Sequence, residues 1–66
     1  MKNRIKIERA IHDLTQADLA KRIGVSRQTI NSIEKGKYVP STVLALKLAE
    51  VFEKDVRELF TLEEGD

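Results

Sequence analysis

Residues 23–37 read IGVSRQTINSIEKGK, and their pattern decides what kind of protein this is. A glycine at position 24 is followed two residues later by Ser26, a residue type that caps the first free amides of a helix. From Arg27 the apolar residues recur as Ile30 and Ile33, so one side of a helix running to about Lys35 is buried. On a helical wheel Gln28, Asn31, Ser32 and Lys35 fall together opposite those isoleucines, and Arg27 flanks them at the N-terminal end. A surface helix usually carries Glu/Lys pairs on such a face. Arg instead offers a planar fork of donors, and Gln and Asn each offer a donor beside an acceptor, which are the groups that match base edges in a DNA major groove. Ser is small enough to allow close approach, and Lys suits phosphate. An ordinary solvated face can hold the same residues, so residue types alone leave both readings open.

The stretch before it supplies the geometry. Thr15 and Asp18 have capping-box spacing, with Asp shorter than the usual Glu. Leu19, Ala20 and Ile23 then share one face, and Gly24 ends this second helix in the left-handed conformation that a residue without Cβ adopts most readily. Two helices joined by so short a glycine turn form the unit that presents its second member to a major groove.

Further out the pattern stays helical. A first helix is expected from about Lys2 to His12, although Ile5 and Ile7 lie two apart and blur its stripe, so the first residues are alternatively extended. Pro40 and Ser41 begin a fourth helix, Thr42 to Phe52, whose apolar residues on most sides predict a central position. Asp55 and Glu58 repeat the capping pattern before a short last helix, Val56 to about Phe60. The fold class read from this is all-α: a compact domain of five helices over residues 1–66, with possible short extended terminal segments.

Composition narrows the function. The chain has no cysteine and one histidine, His12, which leaves no thiolate or zinc site and no catalytic triad. No apolar run approaches the roughly 20 residues of a membrane span, and no apolar stretch follows the basic N-terminus as in a secretory signal. A cytoplasmic protein with no membrane association, no cofactor, no metal and no obvious small-molecule ligand is expected. The net charge of +1 conceals an asymmetry: residues 1–37 hold nine Lys/Arg against four Asp/Glu, and residues 38–66 hold three against seven. The basic half contains the polar helix face, as nucleic-acid binding requires.

The stretch LTQADLAKRIGVSRQTINSIEKGKYVPS resembles the helix-turn-helix of phage repressor/Cro-type transcriptional regulators, the xenobiotic-response-element family. The bihelical unit covers residues 16–35, with its small residue at Ala20, its turn glycine at Gly24, and apolar positions at Leu19, Ile23, Val25, Ile30 and Ile33. The resemblance extends over about residues 3–60 and implies a lambda-repressor-like fold. It also implies that Arg27, Gln28 and Ser32, with Asn31 on the same face, read base pairs. Gln16, Ser26, Thr29, Lys35 and Lys37 would lie against the phosphate backbone, with Gln16 also buttressing the start of the third helix. Glu34 lies nearer the buried side of the wheel, and the resemblance pairs it with Arg9 as a structural ion pair. Tyr38 either contacts phosphate or covers the core under its loop, packing being the favoured reading, and His12 is expected to be solvent-exposed beside the carbonyls at the end of the first helix. Two places depart from the family pattern. Glu53-Lys54 stands where glycine and an apolar residue are common, and Ile7-Glu8 stands where a charged residue and leucine are common.

The implied function is that of a transcriptional regulator, a repressor most often, which binds double-stranded DNA as a homodimer on a roughly palindromic operator. The dimer contact is expected in residues 55–66, through Val56, Leu59, Phe60 and Leu62, because these are the apolar residues of an otherwise acidic segment. The alternative is that they only close the core of one chain. The rival function is an antitoxin-type module that binds a toxin or other protein. An enzyme is not expected, because no metal cluster, nucleophile–base pair or phosphate-cradling glycine loop is present.

Overall fold

The computed structural model describes all 66 residues. In chain order the elements are β1 (Lys2–Asn3), α1 (Ile5–Ile11), α2 (Gln16–Ile23), α3 (Arg27–Glu34), α4 (Thr42–Phe52), α5 (Val56–Leu59) and β2 (Phe60–Thr61). The side chains of Ile5, Leu19, Ile30, Ile33, Leu48, Phe52 and Leu59 are fully buried and draw all five helices onto one core.

The helix starts follow from local chemistry. Thr15 Oγ1 accepts from the Asp18 amide at 3.0 Å, and Asp18 Oδ2 accepts from the Thr15 amide at 3.0 Å, so the shorter acid still closes the box. These bonds, the backbone amide of Thr15 first, hold the Asp18 carboxyl below its usual range. Ser26 and Ser41 cap α3 and α4 through the amides of Thr29 and Leu44. Asp55 and Glu58 form a second capping box, which suffices to start a helix of a single turn.

The structure fixes the element bounds. The first helix begins at Ile5, and of the two readings of the first residues the extended one holds, because residues 2 and 3 pair antiparallel with Thr61 and Phe60. The last helix accordingly stops at Leu59, and Phe60 is extended. The recognition-type helix ends at Glu34, with Lys35 as its C-cap. α4 does end at Phe52 despite its unusual exit: Glu53 adopts φ 53°, and the amides of Glu53 and Lys54 reach back to the carbonyls of Glu50 and Ala49. A left-handed non-glycine residue costs about 1–2 kcal/mol, which the two bonds offset. α4 is also less central than its composition predicts, since Val43 and Leu46 are more than half exposed at 64% and 53%.

The Ile7-Glu8 departure has a clear structural result. Ile5 is fully buried and sets the rotation of α1, so Glu8, three residues on, points inward with only 4% of its surface exposed, while Ile7 faces out. Glu8 Oε1 is sealed from solvent without a hydrogen-bond partner. His12 Nδ1 lies 4.0 Å from it and only 3.0 Å from the Glu8 carbonyl. The His12 ring packs against Phe52 with centroids 5.3 Å apart, so the residue is exposed on one side only. An orphaned buried polar atom costs roughly 1–3 kcal/mol. Glu8→Leu is therefore expected to raise stability by about that amount in urea melts. An equal or lower midpoint would show that the carboxylate is compensated within the core.

Candidate nucleic-acid interface

The two helices of the unit are held at a fixed angle by their turn and their inner faces. Gly24 sits at φ 76°, where a Cβ would be strained whatever the space around it. The Val25 amide donates to the Ala20 carbonyl at 3.0 Å and closes the turn. Leu19, Ala20 and Ile23 of α2 meet Ile30 and Ile33 of α3 inside the core. That packing leaves Arg27 and Gln28 exposed and Thr29, Asn31 and Ser32 half-buried along the outer side of α3. Lys35 and Lys37 stand exposed on either side of Gly36, whose φ of 73° turns the chain away from the helix.

A hydrogen-bonded network fastens α3 from behind. Arg9 Nε donates to Glu34 Oε2 at 2.6 Å, and Arg9 Nη2 donates to Glu34 Oε1 at 3.1 Å. Arg9 Nη1 donates to the Leu14 carbonyl at 3.0 Å, at the entrance of α2. The side chains of Arg9 and Glu34 are 15% and 8% exposed, so little solvent screens the pair. The bond to Glu34 pushes the Arg9 guanidinium above its already high ordinary pKa. One arginine thus ties α1, the α2 entrance and the end of α3 together.

Gln16 joins this network at a different point from the expected one. Its Nε2 donates to Glu34 Oε1 at 3.1 Å and approaches Asn31 Oδ1 at 3.4 Å. It therefore braces the second half of α3 rather than its start. The reason is that Gln16 is the first residue of α2, on the same side as Arg9 and level with Glu34. Its bond to Asn31 leaves that side chain less free than Arg27 and Gln28 to rearrange for a ligand. Gln16 and Arg27 also line one open cleft with Arg9, Thr15 and Ala17. Ser26 is occupied as a cap, and its hydroxyl lies 3.0 Å from that of Thr29.

Tyr38 does not take the favoured packing position, which leaves the phosphate-side alternative. It is 46% exposed and lines a shallow groove with Gln28, Thr29 and Ser32 instead of covering the core. The Lys37 and Tyr38 amides both donate to the Ser32 carbonyl, at 2.9 and 3.3 Å, which folds the loop back along α3. Spacing from Gly36 could not reveal this, because it depends on the loop's return path. The usable signal was chemical: a phenol directly after Lys-Gly-Lys, with an apolar body and a polar tip.

The residues expected at a dimer contact are divided. Leu59 and Phe60 are 1% and 8% exposed and belong to the core of the single chain. Val56 is partly buried against that core, and Leu62 is exposed. The one-turn α5 has too little surface to supply both a core and a second apolar face. Of the exposed apolar residues of α4, Val43 and Leu46, the second lies beside it. Leu46, Ala49 and Val56 line a groove between α4 and α5, edged by Glu50, Glu53, Lys54 and Asp55.

A helix-turn-helix family model matches residues 5–59, which spans α1 to α5. The chain belongs to the Cro/C1-type helix-turn-helix family. As a member of this family it is a DNA-binding transcriptional regulator with a lambda-repressor-like fold. It is similar to an uncharacterized HTH-type transcriptional regulator of Methanocaldococcus jannaschii, at 54% identity over 100% of both chains. It is also similar to the ImmF control region 10 kDa protein of Bacillus phage phi105, at 35% identity over 92% of this chain and 73% of that one. Among solved structures it resembles the restriction-modification controller protein C.AhdI from Aeromonas hydrophila. That likeness has a TM-score of 0.78 and 35% identity and covers 86% of each chain. In this helix-turn-helix chain no group of three or more His, Cys, Asp or Glu side chains could hold a metal ion. No helix is long and apolar enough to cross a membrane.

Proposed function

We propose that this regulator is a homodimeric, sequence-specific repressor that inserts α3 into the major groove of a roughly palindromic operator and acts in the cytoplasm. The observation that carries the reading is the outer side of α3: Arg27 and Gln28 are exposed at the end nearest the turn, while Ile30 and Ile33 behind them are buried. Those side chains have the donor and acceptor pattern that guanine and adenine edges accept. Thr29, Lys35, Lys37 and Tyr38 surround them with groups suited to phosphate and sugar. A regulatory role is supported by the likeness to a phage control-region protein and a restriction-modification controller.

Two copies would set their α3 helices about 34 Å apart, one turn of DNA. The surface best suited to a twofold contact is the α4–α5 groove, where Leu46 is exposed beside Val56 and ringed by residues of both charges, with Val43 exposed three residues earlier on α4. A patch that carries both signs can pair with its own image. Leu46→Glu is expected to shift the protein to a monomer in sedimentation equilibrium while its melting curve remains cooperative. A wild-type dimer constant in that variant would place the contact elsewhere, with Leu62 the next position to test.

The reading itself is tested by mutating α3. Arg27→Ala and Gln28→Ala should each cost about 1–3 kcal/mol on the preferred site and relax preference at particular base pairs. Lys35→Ala should weaken binding to all sequences alike. The measurement is affinity on single-base variants of a site selected from random DNA. Unaltered preference in both Arg27→Ala and Gln28→Ala would make the face of α3 a solvated surface and favour a protein-binding role.

A further inference from the structure

We infer that Asn3 is a positioning residue for DNA recognition, which fixes the exit of α3 through the main chain. It lies outside the helix-turn-helix, thirty residues before Ile33, the residue of α3 that it reaches. Its Nδ2 donates to the Ile33 carbonyl at 2.8 Å, and its Oδ1 accepts from the Ile5 amide at 3.2 Å. Both ends of one amide side chain are thus used, one on the last turn of α3 and one on the first turn of α1. The last carbonyls of a helix have no partner within it. Here the Ile33 carbonyl receives both the Gly36 amide, at 2.9 Å, and Asn3.

The strand that holds Asn3 is itself fixed. Asn3 pairs with Phe60 across the terminal ribbon, and the Arg4 amide donates to the Leu59 carbonyl at 2.9 Å. Leu59 and Phe60 are anchored in the core. The strand also runs close to the turn after α3, since a Cβ on Gly36 would lie 3.9 Å from the Met1 carbonyl oxygen. Lys35, Lys37 and Tyr38 leave α3 through this turn. Any rotation there would move them relative to Gln28 and Ser32. The ribbon is therefore a bracket that holds the phosphate-side groups in register with the base-side groups. The inference rests on the reading that α3 meets DNA.

Substitution can separate this role from simple capping of α1. Asn3→Asp keeps an acceptor for the Ile5 amide but replaces the donor with an oxygen that faces the Ile33 carbonyl. Asn3→Ser keeps a short acceptor and lacks the reach to Ile33. The experiment measures affinity for the preferred duplex and for an unrelated duplex, together with amide hydrogen exchange at Gly36 and Lys37. Arg27→Ala is carried alongside. Both Asn3 variants are expected to lose about three- to tenfold on the preferred site, as expected for one lost hydrogen bond. Affinity for the unrelated duplex should change little, and exchange at Gly36 and Lys37 should quicken. Loss of folded protein alone would lower both affinities by the same factor and would overturn the inference. A wild-type ratio of the two affinities in both Asn3 variants, with a reduced ratio in Arg27→Ala, would overturn it as well and leave the role of α3 intact. A wild-type ratio in all three variants would overturn the reading of α3, and the inference with it.

Discussion

Raising the salt from about 50 to about 200 mM is expected to weaken binding to duplex DNA by about 10³–10⁵-fold, if a dimer neutralises roughly 6–10 phosphates. The reason is the placement of charge. The chain as a whole is almost neutral, at +1, yet its first 37 residues hold nine of the twelve Lys/Arg. Arg27, Lys35 and Lys37 are all exposed along or just beyond α3, and neither lysine is held in an ion pair. Arg9 is the exception among the basic residues near the site, since Glu34 already occupies it. Each cation that meets a phosphate releases a counterion, and the free energy of that release falls as salt rises. Fluorescence anisotropy over a salt series gives the slope. Lys35→Ala should lower its magnitude by about one unit per protomer. A flat response would remove the electrostatic basis of the interface.

Breaking the Arg9–Glu34 pair is expected to cost about 3–5 kcal/mol, a large share of the stability of so small a domain. The two substitutions should not be equal. Arg9→Ala leaves the Glu34 carboxylate, 8% exposed, with Gln16 as its remaining side-chain donor. Glu34→Ala leaves a guanidinium that is more exposed, at 15%, and still bonded to the Leu14 carbonyl. Arg9→Ala should therefore be the worse of the two. The double variant should lose less than the sum, because neither charge is then stranded. Urea melts of the three proteins check this. Wild-type midpoints throughout would mean that the network contributes no stability.

The features that were legible in the sequence are those with a local cause. Gly24, Thr15, Ser26, Ser41 and Asp55 each act within a few residues of their own position, so the caps and the turn could be read directly. The separation of Ile30 and Ile33 from Arg27 and Gln28 is likewise a consequence of helical period. Arg9 and Glu34 are 25 residues apart, and only resemblance to a family suggested that they meet. What escaped was non-local. A two-residue strand carries no period, so the sequence allows extended termini, but the pairing of β1 with β2 is visible only once the fold brings residues 2–3 beside residues 60–61. The bracket made by Asn3 depends on that pairing. The inward direction of Glu8 opposes its polarity and follows from the burial of Ile5. Leu59 and Phe60 read the same in the sequence whether they close a core or meet a partner. Only the packing of α5 onto α4 tells the two apart.

The central claim is that the outer side of α3 lies in the major groove, and guanine N7 is reachable only from that groove. Methylation interference at guanine N7 on a selected operator tests it most directly. Two blocks of interfering guanines are expected, with centres about one helical turn apart. Salt-sensitive binding that no N7 methylation disturbs would contradict it, because the protein would then be holding the backbone without placing α3 in the groove.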